Sequence, residues 1–225
     1  MLAEVWAAAR RRNVRSGAYL FRQGDQAHTL YVLIRGSVKL TQINPEGDQI
    51  LLRVVSAGET FGAAAPLGNI RYPATAQAAT PCTVLLWDGP TMLGLMERFP
   101  RLAINALRVL AERVHEFQDR YREMATERVE RRVARALLRL ARQVGRRVDN
   151  GVLIDLTLTR QDLAEMTGTK RFTISRIFSD WEKRGLIEAG RERVLIKEPH
   201  SLVTIAEDLP LYVAPPTSDL LNSDV

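Results

Sequence analysis

Between residues 16 and 87 the apolar positions fall in short runs: AYLF, TLYVLI, SVKLTQI, QILLRVV, ATAQAA and TVLLW. Gly17, Gly24, Gly36, Gly47 and Gly58 fall between runs at intervals of 7 to 12 residues. Short regular strands punctuated by glycine turns predict a small β-barrel or sandwich. PEGDQ reads as one hairpin tip. Ahead of it, residues 1–15 read as a short helix with Arg10, Arg11, Arg12 and Arg15 at a solvated end.

After Pro100 the period changes. Ala103, Leu107, Leu110, Val114, Phe117, Tyr121 and Met124 recur in alternating steps of 4 and 3, the heptad seam of a helix paired with its own copy. Packing of the same stripe onto its own barrel is the alternative. A hinge follows at residues 124–127. A second helix then carries Val133, Ala136, Leu137, Leu140 and Val144 in one stripe, with Arg131, Arg132, Arg135, Arg139 and Arg142 around it. GVLIDLTL predicts a small strand or hairpin. Residues 201–225 read as a tail, with two consecutive prolines and no period.

Residues 159–185 carry the chemistry. Thr159 with Asp162 three residues on is a capping box opening a short helix, with Arg160 and Gln161 in its first turn. Leu163, Ala164 and Met166 give that helix an apolar side, and Gly168 ends it. Thr169 then reads as the cap of a second helix whose Ile174, Ile177, Phe178 and Trp181 form the inward stripe. Its other face presents Phe172, Ser175, Arg176, Ser179 and Lys183, with Lys170 and Arg171 at the amino-terminal end. Such a face suits a DNA major groove, where Arg bonds guanine bidentately and Ser reaches phosphates or base edges. A plain helical hairpin with a solvated face is the alternative. The next segment, LIEAGRERVLIKEP, is a hairpin signal. It makes the whole a winged helix with Arg191 and Arg193 near phosphates.

Charge and cysteine content narrow the class. The 225 residues suffice for two small domains. Residues 126–197 hold 17 Lys/Arg against 10 Asp/Glu, so the basic excess is densest around the proposed reader. The single Cys82 excludes an internal disulfide, a four-cysteine iron–sulfur cluster and a Cys-rich zinc site. No apolar run has the length of a signal peptide or membrane span, so a cytoplasmic location without membrane partners is expected. No paired His/Asp/Glu cluster, GxxxxGK[ST] loop or nucleophile elbow points to an enzyme; a β-barrel enzyme is the remote alternative.

The stretch LTRQDLAEMTGTKRFTISRIFSDWEKRGLI resembles the DNA-binding domain of the bacterial CRP/FNR regulators (cyclic-AMP receptor protein and fumarate–nitrate reduction regulator). GDQAHTLYVLIRGSVKL, PEG and SAGETFG are similar to the family's cyclic-nucleotide-binding β-roll, so the likeness spans roughly residues 14–197. It implies an α+β fold: a sensor β-roll over 1–99, a dimerisation helix over 100–125 and a winged helix-turn-helix over 126–200. It also implies a homodimer seamed by Leu107, Leu110, Val114, Phe117, Tyr121 and Met124. The partners it implies are near-palindromic double-stranded DNA and RNA polymerase. By the same likeness Arg171 and Arg176 take base- or phosphate-contacting positions. Phe172 departs from the family, many of whose members carry a glutamate there that accepts from cytosine. A phenyl ring reaches only a thymine methyl.

The effector region departs further. Cyclic-nucleotide-binding members carry a glutamate soon after Phe-Gly and an Arg-Ser pair beyond it. Here Ala63, Ala64 and Ala65 follow Phe61 and Gly62, and Tyr72 and Pro73 stand at the Arg-Ser positions. Phe61, Gly62, Arg71, Tyr72 and Thr75 are the candidate effector residues. An apolar pocket would leave a nucleotide's hydroxyls and phosphate unpaired at ~1–3 kcal/mol each, which argues against cyclic AMP or cyclic GMP. A cyclic-nucleotide-responsive version with Arg71 as phosphate anchor is the alternative. YPATAQA resembles the FNR and denitrification-regulator branches. Haem would need an axial ligand among His28, His115, His200 and Cys82, none of which has ligand spacing. An unidentified small ligand, or none, is what remains.

Overall fold

A computed structural model describes residues 2–154, 156–190 and 193–209. The sensor half is a roll of eight strands: β1 (Arg10–Val14), β2 (Tyr19–Phe21), β3 (Thr29–Arg35), β4 (Val38–Ile43), β5 (Gln49–Val55), β6 (Thr60–Phe61), β7 (Thr75–Ala78) and β8 (Cys82–Asp88). They form two antiparallel sheets, in order β1-β8-β3-β6 and β2-β7-β4-β5, whose inner faces share one apolar cluster. Alternation decides which residues enter it. On β3, Tyr31 and Leu33 point inward with Phe21, Val38 and Val84, while Leu30 points outward to Trp87 and Met92.

The amino terminus differs from the sequence expectation. The helix α1 (Leu2–Ala7) is short, and Arg10–Val14 form an edge strand paired with β8 from Arg10↔Leu86 to Val14↔Cys82. Only Val14 is buried; the arginines and Asn13 are exposed. The strand therefore lacks the alternating apolar signature that would have marked it.

Asp88 caps α2 (Gly89–Arg98), accepting from the Thr91 amide at 2.8 Å. The helix α3 (Pro100–Thr126) follows, 27 residues or about 40 Å long. Glu127 breaks it with an extended backbone, and α4 (Val129–Val144) starts the reader half. There β9 (Gly145–Val148), β10 (Gly151–Ile154), β11 (Ile187–Gly190) and β12 (Arg193–Ile196) make a sheet in order β11-β12-β10-β9. It packs with α5 (Arg160–Thr167), α6 (Arg171–Lys183) and α7 (Pro199–Glu207) around Val133, Leu137, Leu140, Phe178 and Trp181.

The helix α7 corrects the tail boundary at residue 201. Leu202 and Ala206 are buried in the reader core, so residues 201–207 belong to that half. Residues 210–225 of the expected tail lie outside the described residues.

Candidate nucleic-acid interface

Local sequence builds the reader. Thr159 accepts from the Asp162 amide at 3.0 Å while Asp162 accepts from the Thr159 amide at 2.8 Å, closing the capping box that starts α5. Gly168, at φ +59°, ends α5 in the left-handed region that favours glycine. The cap of α6 is not Thr169 but Lys170. The Thr169 amide is used instead to close α5, donating to the Ala164 carbonyl at 3.0 Å. Ile174, Phe178 and Trp181 are buried, Ile177 is half-buried, and the Trp181 indole donates to Glu130 on α4 at 2.9 Å. That bond fixes the rotation of α6 about its axis.

With the stripe locked inward, the opposite face is solvent-facing. Phe172 is 78% exposed. Arg171, Arg176, Ser179, Lys183 and Lys170 are exposed, and Ser175 and Thr169 are half-buried. Among the described residues, Lys170, Arg171, Arg176 and Lys183 form no ion pair, whereas Arg184 on the flank is tied to Asp180 at 3.1 Å. Unpaired arginines and lysines are available for phosphates and base edges.

The wing closes one side. A cleft of about 350 Å³ between the helices and the β11–β12 hairpin is lined by Thr159, Arg160, Gln161, Arg171, Gly190 and Arg193, among others. Three guanidinium-bearing chains from three elements thus meet at one opening. Arg160 lies over the Phe178 ring at 5.5 Å, and its buried Nε has no hydrogen-bond partner. Gln161 is exposed and bonds Glu165 at 3.2 Å. Arg193 is exposed beside the hairpin tip; Arg191, expected at that tip, lies outside the described residues.

Sequence reasoning missed what holds this unit against the sensor. Lys39 on β4 bonds both carboxylate oxygens of Asp162, at 2.9 and 2.8 Å. Val54 of β5 is buried in the reader core. At the other end, Glu123 of α3, itself buried, pairs with Arg139 of α4 at 2.7 Å. Arg132 spans from the Glu127 carbonyl (2.7 Å) to that of Thr167 (3.0 Å). The one advance signal for Lys39 was that it is the single charged residue of β4.

The candidate effector residues divide. Phe61 and Tyr72 are buried in the roll, where Tyr72 stacks on Phe21 at 3.7 Å and Phe61 on Tyr31 at 5.0 Å. The Tyr72 hydroxyl accepts from the Thr29 amide and donates to its carbonyl, at 2.9 and 2.6 Å. Gly62 sits where a Cβ would lie 2.7 Å from the Thr29 carbonyl, so a side chain is excluded there. Arg71, in contrast, is exposed on the outside of the roll and donates to the Gly24 carbonyl at 2.7 Å. Thr75 accepts from the Gln23 amide at 3.0 Å. The interior is filled by four rings, and Arg71, the anchor of the alternative reading, turns away from it. Of the residues considered for haem, His28, His115 and His200 are exposed. Cys82 is buried, bonded to the Ser37 and Thr80 carbonyls, and burial pushes its thiol pKa up.

Comparison with known proteins agrees with this layout. The family model described as a cyclic nucleotide-binding domain matches residues 11–99, and that of a Crp-like helix-turn-helix domain matches residues 131–205. The chain is 30% identical to the cyclic AMP receptor protein of Thermus thermophilus, over 87% of this chain and 88% of that one. It is 26% identical to the CRP-like cAMP-activated global transcriptional regulator of Mycobacterium tuberculosis, over 83% of each. A solved CRP-family transcriptional regulator from Thermus thermophilus superposes with TM-score 0.75 at 27% identity, covering 87% of this chain and 96% of that one. With both domains matched in order and the winged reader intact, the chain belongs to the CRP/FNR family of DNA-binding transcription regulators.

Proposed function

We propose that two copies of this chain pair along α3 and lay their α6 helices in neighbouring major grooves of a near-palindromic site. The observation that carries this reading is the pair of unpartnered faces on one chain. The α6 reader face is open, and α3 leaves Phe117 70% and Tyr121 69% exposed, with Leu107, Leu110, Val114 and Met124 in line with them. Burying that seam against a second copy removes it from water and sets two readers on one two-fold axis. Half-sites about one helical turn apart, roughly 34–36 Å, follow from that symmetry. The bound dimer works by engaging RNA polymerase in the cytoplasm, and it acts by binding rather than by catalysis. Selection from a random DNA pool with the full-length chain tests this. Inverted repeats at one-turn spacing are expected, and enrichment of single half-sites would sink the paired reading.

The roll, on this reading, responds to something other than a cyclic nucleotide, or acts without an effector. Ala63, Ala64 and Ala65 at the cassette, Arg71 on the outside and four packed rings inside support that. Haem has no support in the surroundings of Cys82 or the histidines. The named cyclic-AMP relatives favour the second reading, a cyclic-nucleotide-responsive protein. Calorimetry with cyclic AMP separates the two: no heat is expected, and micromolar binding would establish the second.

A further inference from the structure

The turns of the sensor roll meet the end of α4 around a cavity of about 920 Å³. The roll side consists of the turns after β1, β3 and β5 and the turn before β8; Gln143 and Val144 of α4 close the other side. Among the described residues, none of α2 or α3 lines it. The floor is clamped. Gly36, at φ +91°, lies so close to the next turn that a Cβ would fall 2.5 Å from the Pro81 carbonyl oxygen. The Ser37 amide donates to the Thr80 hydroxyl at 2.9 Å, and the Cys82 thiol donates to the Ser37 carbonyl at 3.2 Å. A ligand seated here touches both halves of the chain at once.

The lining is polar without being acidic. Arg15, Arg35, five hydroxyl side chains and Gln143 line the cavity, and among the described residues no Asp or Glu does. The other arginine-rich cleft, between α3, α4 and α7, sets Glu116, Asp119, Glu123 and Glu207 among its arginines and so neutralises itself. Arg15 follows β1 and Arg35 ends β3, and these strands flank β8, where Thr83 pairs with both Asn13 and Arg35. The two arginines therefore leave the sheet two strand spacings apart, about 10 Å at the backbone. Both are exposed, and among the described residues neither has a side-chain partner. The Ser56 hydroxyl is buried here, also without a partner. Two uncompensated guanidinium groups make the cavity attractive to anions. A phosphoryl group offers three acceptor oxygens and a carboxylate two, so phosphate is the better match for two guanidinium forks and a spare hydroxyl.

We infer that this cavity binds a phosphorylated small molecule, held by Arg15 and Arg35 between the roll turns and the end of α4. The volume is in the range of small-molecule sites and leaves room for an organic body beside the phosphates. The inference rests on the cavity and not on the DNA reading, so either can fail alone.

Calorimetry with inorganic pyrophosphate, titrated into the full-length protein without divalent cations, tests it. Saturable binding of one pyrophosphate per chain is expected. Arg15→Gln and Arg35→Gln act on exposed, unpaired side chains, and each should weaken binding at least ~10-fold, about 1.4 kcal/mol. Arg11→Gln removes the same charge from an exposed position of β1 outside the cavity and should leave the affinity as it was. If Arg35→Gln, at the end of a paired strand, fails to fold, Arg15→Gln alone decides. Absence of saturable heat, or wild-type affinity in folded Arg15→Gln, overturns the site. An equal loss in Arg11→Gln shows attraction to a basic surface only and overturns it as well. Equal affinity for citrate overturns the assignment to phosphate. If operator fragments with long flanks lose affinity in both variants while pyrophosphate stays unbound, the arginines hold DNA and the inference fails.

Discussion

Lys39 of the roll and Asp162 of the reader are 123 positions apart in sequence and joined by two hydrogen bonds of 2.9 and 2.8 Å. Asp162 is also the third residue of α5, where it closes the capping box with Thr159. One carboxylate therefore fixes the start of α5 and ties that start to the sensor. Both side chains are largely buried, so the pair is screened little by solvent. Lys39→Met keeps the chain length and removes the ammonium. It should destabilise docking of the two halves by about 1.5–3 kcal/mol, the range for hydrogen bonds to charged groups. The capping box itself survives, since its bonds to Thr159 do not involve Lys39. Amide exchange is expected to quicken across β4, β5 and the α5 face while the protection of α6 stays as it was. Unchanged exchange across β4 and β5 would show that the Lys39–Asp162 bonds add nothing to the Val54 packing at this contact.

What the sequence revealed was local. The capping box, Gly168 and the α6 stripe rest on spacings of three, four and seven residues, which the backbone geometry of a helix translates directly into faces. The strands of the roll showed themselves through apolar runs between glycines. Where that local signal failed, a physical reason is visible. The β1 strand is mostly arginine, and its pairing energy lies in the ladder with β8 rather than in its side chains. The α7 helix buries Leu202 and Ala206 with Ile205 packed beside them, a stripe of little more than one turn that merges with the tail in sequence. Thr169 looked like a cap because its residue type is right, but α6 starts one residue later, with Lys170 at the cap position and no side-chain cap bond. The Lys39–Asp162 tie and the outward turn of Arg71 are properties of tertiary packing, and no spacing encodes them.

On the reader face the decisive comparison is Arg176 with Phe172. Both are exposed, one a bidentate donor and one an apolar ring. Arg176→Ala should weaken specific binding by about 1–3 kcal/mol and relax preference at one base pair. Phe172→Ala should lose discrimination for thymine over uracil at its contact, because the 5-methyl group is the only feature a phenyl ring reads. Competition binding with singly substituted operators measures both. An Arg176→Ala protein with the original affinity and base preference would remove Arg176 from the interface.

The seam gives a sharper test than the reader. Val114 and Phe117 face away from the roll on α3, 46% and 70% exposed in the single chain. Val114→Glu combined with Phe117→Glu puts like charges opposite each other in a paired helix and leaves the roll's own packing untouched. Light scattering should return the monomer mass, with operator affinity falling by orders of magnitude as two-site binding is lost. A dimer of undiminished stability would mean the chains pair elsewhere.

Acid should loosen α3 from the roll through Glu59. Burial alone would raise the pKa of this carboxyl, but the Ser56 amide, 2.6 Å away, together with Arg53 and Arg113, outweighs it and holds the group below its ordinary 4.5. A carboxyl whose folded pKa is depressed stabilises the fold fully above its unfolded value and loses that contribution as pH falls through the folded one. The bond from Arg113 on α3 therefore weakens only in acid, below the usual carboxylate range. Glu59→Gln removes the titration and takes the carboxylate from Arg53, whose side chain is only 14% exposed and keeps its bond to the Thr60 carbonyl. Near neutrality the variant should lose about 1–3 kcal/mol. In acid it should converge on the wild type, because protonated Glu59 is no better a partner than the amide. Urea midpoints measured at both ends of that range give the difference directly. A gap that persisted in acid would show that Glu59 acts through packing and not through its charge.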